Sequence, residues 1–252
     1  MSTVIPLRPG SAPTDPAEVS VLVGAGHGGA GTTTTTLGIA AALAAPMYPV
    51  VAADTTSDGG NLFTRAAAAP LSVPTLVSGL PAPSADTTSG AVVLGGAADR
   101  TDPALIDALI ASRGAARVFD AGTAVDTARH TGLRRSSTLV LCSVVRAEPL
   151  TRLREILGRA AAIHGPGELA RTVVVLTHTL PDPVLDLTPV LTGLRRAVAD
   201  VIEVPFDSAA ATPGLFDHRS LAPSSLSAYG RIATAALSVR PSTEQPRRQE
   251  NA

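Results

Sequence analysis

Short runs of apolar residues alternate along the chain with longer segments in which apolar residues recur every three or four positions. Such runs are typical of strands buried on both faces of a parallel sheet, and the longer periodicity indicates amphipathic helices. The runs predict strands over residues 19–23, 50–53, 91–94, 117–119, 137–145, 171–176 and 201–204. The periodic segments predict helices over residues 33–45, 61–69, 102–113, 148–163, 186–200 and 223–239.

The regular alternation of strands and helices predicts an α/β fold with a doubly wound, mostly parallel sheet and helices on both faces. Ligands of such folds bind at the carboxyl ends of the strands. We expect one domain over residues 19–239, with a flexible arm (1–18) before it and a disordered tail (240–252) after it. Residues 70–90 are rich in Pro, Ser, Thr and Gly and predict a loop.

A glycine-rich segment connects the first predicted strand to the first predicted helix, with the sequence Gly24-Ala-Gly-His-Gly-Gly-Ala-Gly-Thr-Thr-Thr34. This is the strand–loop–helix layout of a phosphate-binding loop. Glycines allow backbone N–H groups to turn toward an anion, and the helix N-terminus adds a partial positive charge. Asp54 and Asp120 directly follow two other predicted strands. We therefore expect the loop and both carboxylates to meet at one edge of the sheet.

Two glycine motifs overlap in this segment. Gly24-x-Gly26-x-x-Gly29, with Asp54 after the second strand, matches the fingerprint of a Rossmann protein that binds NAD(P) or FAD. Residues 26–33 instead match the phosphate loop GxxxxGKS/T except at its lysine.

The position at which the helix begins separates the two motifs. In the dinucleotide motif the helix would begin near His27 and would contain three glycines, each of which costs about 0.8–1 kcal/mol relative to alanine. The phosphate-loop motif leaves those glycines in the loop and is therefore favoured, with the dinucleotide motif as the alternative.

The segment also resembles the deviant Walker A loop, KGGxGKT, of the MinD/ParA family of P-loop ATPases. The similarity continues through the second strand and its loop, through the Walker B and switch II strand, and through two late strands beside the base pocket. It covers about residues 19–239. It is carried by residues 27–33, 50–62, 118–122, 173–177 and 203–207.

The resemblance implies a role for each matching position. ATP or ADP would be bound by the loop, at Gly28, Gly29, Ala30, Gly31, Thr32, Thr33 and Thr34. The Thr33 hydroxyl would bind Mg²⁺, and Asp120 would lie in the outer shell of the metal. Asp54 would help to activate the attacking water if the protein is active. The family also implies a homodimer across the nucleotide and a further protein partner.

The chain departs from the family at its charged residues. Thr32 replaces the lysine that reaches the β- and γ-phosphates, His27 replaces the signature lysine, and Thr56 replaces the second switch I aspartate. The chain contains no lysine at all. Since phosphoryl transfer depends on positioned positive charge, we expect a pseudo-ATPase. It would be a weak or non-hydrolysing ATP-binding regulator or scaffold in spatial organisation, partitioning or secretion assembly.

Composition restricts the remaining possibilities. A net charge of −1 does not support DNA binding, and no apolar stretch is long and uninterrupted enough to predict a membrane segment, so a cytoplasmic protein is expected. The remaining histidines have no metal-ligand spacing and are interpreted as surface or capping residues: His130, His164, His178 and His218.

Overall fold

The computed structural model describes most of the chain, namely residues 15–46, 48–56, 61–68, 77–80, 82–96, 102–181 and 186–239. These residues include an eight-stranded sheet. Its strands are β1 (Ser20–Ala25), β2 (Val50–Asp54), β3 (Ser84–Asp86), β4 (Val92–Leu94), β5 (Ala116–Asp120), β6 (Thr138–Val144), β7 (Thr172–Thr177) and β8 (Asp200–Val204).

The strand order across the sheet is β3-β4-β2-β5-β1-β6-β7-β8. Every neighbouring pair is parallel except β3 with β4, which is antiparallel. The predicted doubly wound, mostly parallel α/β fold is thus confirmed. The parallel register pairs Val23 with Asp120 and Asp54 with Asp120, which brings the carboxyl ends of β1, β2 and β5 together.

Helices cover both faces of the sheet. The described α-helices are α1 (Thr32–Ala44), α2 (Leu62–Ala66), α3 (Pro103–Ala111), α4 (Thr131–Ser136), α5 (Ala147–His164), α6 (Pro166–Leu169), α7 (Thr188–Ala197), α8 (Ser208–Ala211) and α9 (Pro223–Ser238). The described residues also form 3₁₀ turns at Pro16–Glu18, Ala128–His130 and His218–Ser220.

Two buried apolar clusters, one on each face of the sheet, form the core. Alternate residues of β1 belong to different clusters, because successive side chains of a strand point to opposite faces. Val21 and Val23 belong to the cluster that contains residues of α1 and α9, whereas Leu22 belongs to the cluster that contains residues of α3, α5 and α7. The core is aliphatic, as expected for a chain with only 2% aromatic residues.

Several predicted boundaries are wrong. The predicted loop 70–90 contains β3, a short polar edge strand. α4 and its preceding 3₁₀ turn are missing from the prediction. The helix after Asn61 ends at Ala66 rather than at residue 69, and Asn61 makes no side-chain cap. The predicted helix 186–200 is shorter at both ends.

Some predictions fall on residues outside the described ones. These are most of the arm (1–14), the tail (240–252), residues 57–60 of the resemblance to the family, residue 69 of the predicted helix 61–69, and residues 70–76 and 81 of the predicted loop. The proposed domain boundaries stay a prediction. None of the helices in the described ranges is both long enough and apolar enough to cross a membrane.

Candidate functional site

The glycine-rich loop joins β1 to α1 at the carboxyl edge of the sheet. Gly29 and Gly31 have φ angles of +74° and +83°, a backbone conformation that favours glycine over residues with a Cβ atom. Gly31 is the N-cap of α1 and provides no side-chain cap. The first amides of α1 therefore have no partner within the helix, and with the helix dipole they form a site suited to an anion.

An open cleft of about 560 Å³ lies over this loop. Six of the seven predicted nucleotide-binding residues line it: Gly28, Gly29, Gly31, Thr32, Thr33 and Thr34. The seventh, Ala30, is buried, and its carbonyl accepts a hydrogen bond from the Thr177 hydroxyl at 3.1 Å. The ends of β7 and β8 form the far wall with residues 177–179 and 204–207.

The predicted magnesium ligands lie together at the start of α1. The Thr33 hydroxyl donates to Asp120 Oδ2 at 2.7 Å, and the other carboxylate oxygen of Asp120 accepts the Gly122 amide at 2.9 Å. Asp120 is fully buried at the end of β5. A hydroxyl and a carboxylate are the hard oxygen donors that Mg²⁺ prefers, so these residues fit the ion that the fold implies.

Asp54 is buried beneath the cleft rather than lining it. Its Oδ1 accepts hydrogen bonds from the Thr56 amide at 3.0 Å and from the Thr56 hydroxyl at 2.7 Å. Thr56, the residue in place of the second switch I aspartate, lines the cleft itself. These two hydrogen bonds hold one oxygen of the Asp54 carboxylate against Thr56.

The first two glycines of the dinucleotide fingerprint are explained by packing. A Cβ atom on Gly24 would lie 2.5 Å from Val125 Cβ, and one on Gly26 would lie 2.5 Å from Ile156 Cδ1. Neither glycine lines the cleft, whereas Gly28 and Gly29 do, with open space where a Cβ would be.

The dinucleotide-binding alternative is wrong for two further reasons. α1 begins at Thr32 and not near His27, so the glycines are outside the helix. β5 lies between β1 and β2, whereas the dinucleotide fold places its first two strands side by side.

His27, in the position of the signature lysine, lines the cleft. Its Nδ1 lies 2.9 Å from the Gly28 carbonyl oxygen, and its Nε2 is buried without a hydrogen-bond partner among the described residues. His178 also lines the cleft, with Nε2 3.1 Å from Glu203 Oε2. No group of three or more potential metal ligands occurs in the described part of the chain.

The prediction that His130 is a surface or capping residue is wrong, because the side chain is completely buried. Nε2 lies 3.2 Å from the Thr55 carbonyl oxygen, and Nδ1 lies 3.0 Å from the Ala124 carbonyl oxygen. Burial is the main cause that lowers the pKa of His130, and the charges of Arg129 and Arg134 act in the same direction. His130 thereby joins the end of β2 to the segment that follows β5.

Sequence reasoning also missed two side chains that line the cleft, Arg65 and Tyr229. Arg65 comes from α2, and Tyr229 comes from α9, where its ring packs against Gly38 of α1. Both reach the cleft only through contacts between elements far apart in the chain, and local sequence patterns contain no signal for such contacts.

No protein-family model matches the chain, and no curated protein matches it by sequence. Solved structures do resemble it. A ParA family ATPase from Chlorobium tepidum has a TM-score of 0.65 at 15% identity, with 86% of this chain and 98% of that chain covered. The cell division ATPase MinD from Pyrococcus furiosus has a TM-score of 0.62 at 19% identity, with the same coverage of 86% and 98%.

A cobyrinic acid a,c-diamide synthase from Mycobacterium smegmatis, solved with ADP and magnesium, has a TM-score of 0.55 at 14% identity over 85% of this chain and 92% of that chain. Likeness at these identities establishes the fold. The resemblance seen in the sequence is therefore confirmed at that level: the chain has the fold of the MinD/ParA-like P-loop ATPases.

Proposed function

We propose that this protein binds ATP or ADP with Mg²⁺ and acts as a nucleotide-responsive regulator or scaffold that hydrolyses ATP slowly or not at all. The observation that carries the proposal is the cleft over the glycine-rich loop. The loop, the start of α1 and Thr33, which is hydrogen-bonded to the buried Asp120, line it, and the chain contains no lysine.

Each part of the ligand has residues suited to hold it. The backbone amides of residues 28–33 and the α1 dipole would bind the phosphates. Thr33 and Asp120 would hold Mg²⁺, which neutralises phosphate charge when it is bound. The wall formed by residues 204–207 is mostly apolar and would face the base.

Binding without efficient hydrolysis follows from the missing charge. Thr32 supplies a hydroxyl where the family has an ammonium group, and one charged hydrogen bond is worth about 1.5–3 kcal/mol of binding. Loss of charge stabilisation in the transition state costs a factor of about 10³–10⁵ in rate. Asp54, the proposed catalytic residue if hydrolysis occurs, is also held by Thr56.

The biological role is proposed by analogy with the MinD and ParA proteins of the same fold. It would be spatial organisation, partitioning or secretion assembly in the cytoplasm, with a homodimer and a further protein as partners. His27, in place of the signature lysine, would weaken a dimer contact across the nucleotide, because an imidazole is shorter than a lysine side chain and lacks its compact ammonium group.

Isothermal titration with Mg·ATP and Mg·ADP, up to millimolar nucleotide, tests the binding. We expect saturable heat with the wild type and a loss of the Mg²⁺ dependence with Thr33→Val, which keeps the volume and removes the hydroxyl. Absence of both heat and thermal shift would contradict nucleotide binding. NAD(P) is the negative control.

Phosphate release tests the catalytic part of the proposal. We expect turnover no faster than background, and no change with Asp54→Ala. Robust release that is abolished by Asp54→Ala would identify a working ATPase and contradict the pseudo-ATPase proposal.

A further inference from the structure

Arg65 bridges two elements at the side of the cleft. Its Nη2 donates to the Ala210 carbonyl of α8 at 3.0 Å, and its own carbonyl accepts the Phe216 amide at 2.6 Å. The position of Arg65 is thus fixed through both its main chain and its side chain. The guanidinium is held at the cleft rather than free in solvent.

The contact with Ala210 leaves part of the guanidinium unused. The Arg65 Nε atom is buried, and it has no hydrogen-bond partner among the described residues. A buried donor without an acceptor is unfavourable, and such donors in native structures usually have a partner that completes them. The guanidinium therefore has donor capacity that the described residues do not use.

The charge of Arg65 is also uncompensated within the described residues. None of their carboxylates lies within 4.0 Å of the Arg65 side chain. Asp207, the acidic residue lining the cleft, accepts hydrogen bonds from the Ala209 and Ala222 amides at 2.9 Å each. Among the described residues that line the cleft, Arg65 is the one arginine, and the guanidinium of arginine carries a permanent positive charge.

We propose that Arg65 binds a phosphate group of the ligand and supplies the positive charge that the lysine-free loop lacks. This inference rests on the proposed function, because it assigns a residue to the same cleft. A planar guanidinium with several N–H donors suits phosphate oxygens, and here the donor that bonds Ala210 leaves others available. The charge therefore comes from α2, a different element that lines the same cleft, rather than from the loop itself.

Titration of Mg·ADP into the wild type, Arg65→Gln and Arg231→Gln tests the assignment. Arg231 is exposed on α9 and has no ion pair among the described residues, so its variant removes the same charge away from the cleft. We expect affinity about tenfold to a hundredfold weaker for Arg65→Gln, as for loss of a charged hydrogen bond, and unchanged for Arg231→Gln. Arg65→Lys should recover part of the loss.

Ionic strength distinguishes a charge contact from a purely structural role at Ala210. Salt weakens binding that depends on a ligand–guanidinium attraction, so the wild type should lose more affinity between 0.05 M and 0.5 M NaCl than Arg65→Gln does. Equal salt dependence, or equal affinity, would overturn the role of Arg65 and leave nucleotide binding intact. If the wild type binds neither Mg·ADP nor pyrophosphate, the proposed function and this inference both fail. Melting temperatures confirm that each variant is folded.

Discussion

Two segments border the same edge of the sheet, and they are built in opposite ways. The glycine-rich loop (residues 26–31) has His27 as its single titratable side chain, and its polar groups are main-chain groups. The segment after β5 (residues 121–134) carries charges that are satisfied by the protein. Arg134 is buried there, and its Nη2 lies 2.9 Å from Glu168 Oε1, while Nη1 donates to Asp126.

The difference shows how a chain without lysine divides its polar groups. Arg134 and Arg171 both form ion pairs with the buried Glu168 of α6, so the charges of these arginines are already paired. The first amides of α1, directly after the loop, have no partner within the helix and suit an anion. The glycine-rich loop thus keeps a backbone conformation that suits an anion, while most arginine side chains lie outside the cleft.

Removing the buried charge should have the largest effect on stability. Arg134→Ala removes one of the two arginines that pair with Glu168, which is 4% exposed, so that Arg171 remains as its partner. The substitution also removes the ion pair between Arg134 and Asp126. Breaking a buried ion pair from one side costs about 3–5 kcal/mol of the free energy of unfolding. Urea denaturation at pH 7 measures this loss.

An exposed pair in the same half of the molecule provides the control. Arg152 and Glu148 lie one turn apart on α5, with side chains 51% and 76% exposed. Arg152→Ala should cost no more than about 0.5 kcal/mol, as is usual for such helix pairs. Equal losses for the two variants would contradict the distinction between structural and superficial arginines.

Restoring charge to the loop is the converse experiment. Thr32→Lys places an ammonium group at the cleft, where one charged hydrogen bond to phosphate is worth about 1.5–3 kcal/mol. We expect Mg·ADP affinity about tenfold to a hundredfold tighter by isothermal titration. Thr32→Met has similar length without the charge and should bind as the wild type does. A lysine variant that binds no better would show that the loop geometry does not suit phosphate.

Features that depend on local composition could be predicted from the sequence, whereas features that depend on contacts between distant residues could not. Strands such as β6 and β7 are continuous apolar runs, so their position depends on local composition and was predicted to within a residue or two. β3 has the polar sequence Ser84-Ala-Asp86 and exists through its pairing with β4, which no local pattern reports. The burial of His130 depends on the carbonyl of Thr55, 75 residues earlier. Tertiary contacts decide all such cases.

Substitutions at two glycines compare how tightly the two segments are packed. Gly24 packs against Val125 of the segment after β5, and Gly28 lies in the glycine-rich loop. Gly24→Ala would bring a Cβ within 2.5 Å of Val125 Cβ, close to the backbone of residues 121–134, where no rotamer change relieves the clash. Overpacking of this kind costs about 1–3 kcal/mol of stability. Gly28→Ala meets open space at a residue without positive φ and should change stability by less than about 0.5 kcal/mol.

Thermal and urea unfolding of the two glycine variants, followed by nucleotide titration, measures the difference. Gly24→Ala should lose stability. Gly28→Ala should keep stability and lose affinity, since its methyl group enters the cleft. Destabilisation by both substitutions to the same extent would mean that the loop is as tightly packed as the segment after β5.

The smallest predicted effect is a pH dependence that His130 imparts to that segment. Burial, reinforced by Arg129 and Arg134, lowers the pKa of His130 below its ordinary 6.5, while the Ala124 and Thr55 carbonyls partly oppose this. As the pH falls through about 6.5, His130 therefore binds a proton in the unfolded chain before it does so in the folded chain. By linkage, stability falls as the pH drops below about 6.5, with a slope of at most about 1.4 kcal/mol per pH unit, until the pKa of the folded state is reached.

Urea denaturation at pH 7.5 and pH 5.5 isolates the contribution of His130. The pKa of His218 is also lowered by burial, so the wild-type slope contains more than one histidine. His130→Gln stays neutral at both pH values and should therefore lose less stability than the wild type between them. The exposed His164→Gln should keep the wild-type slope. If His130→Gln keeps it too, the pKa of His130 is the same in the folded and unfolded states, and burial does not lower it.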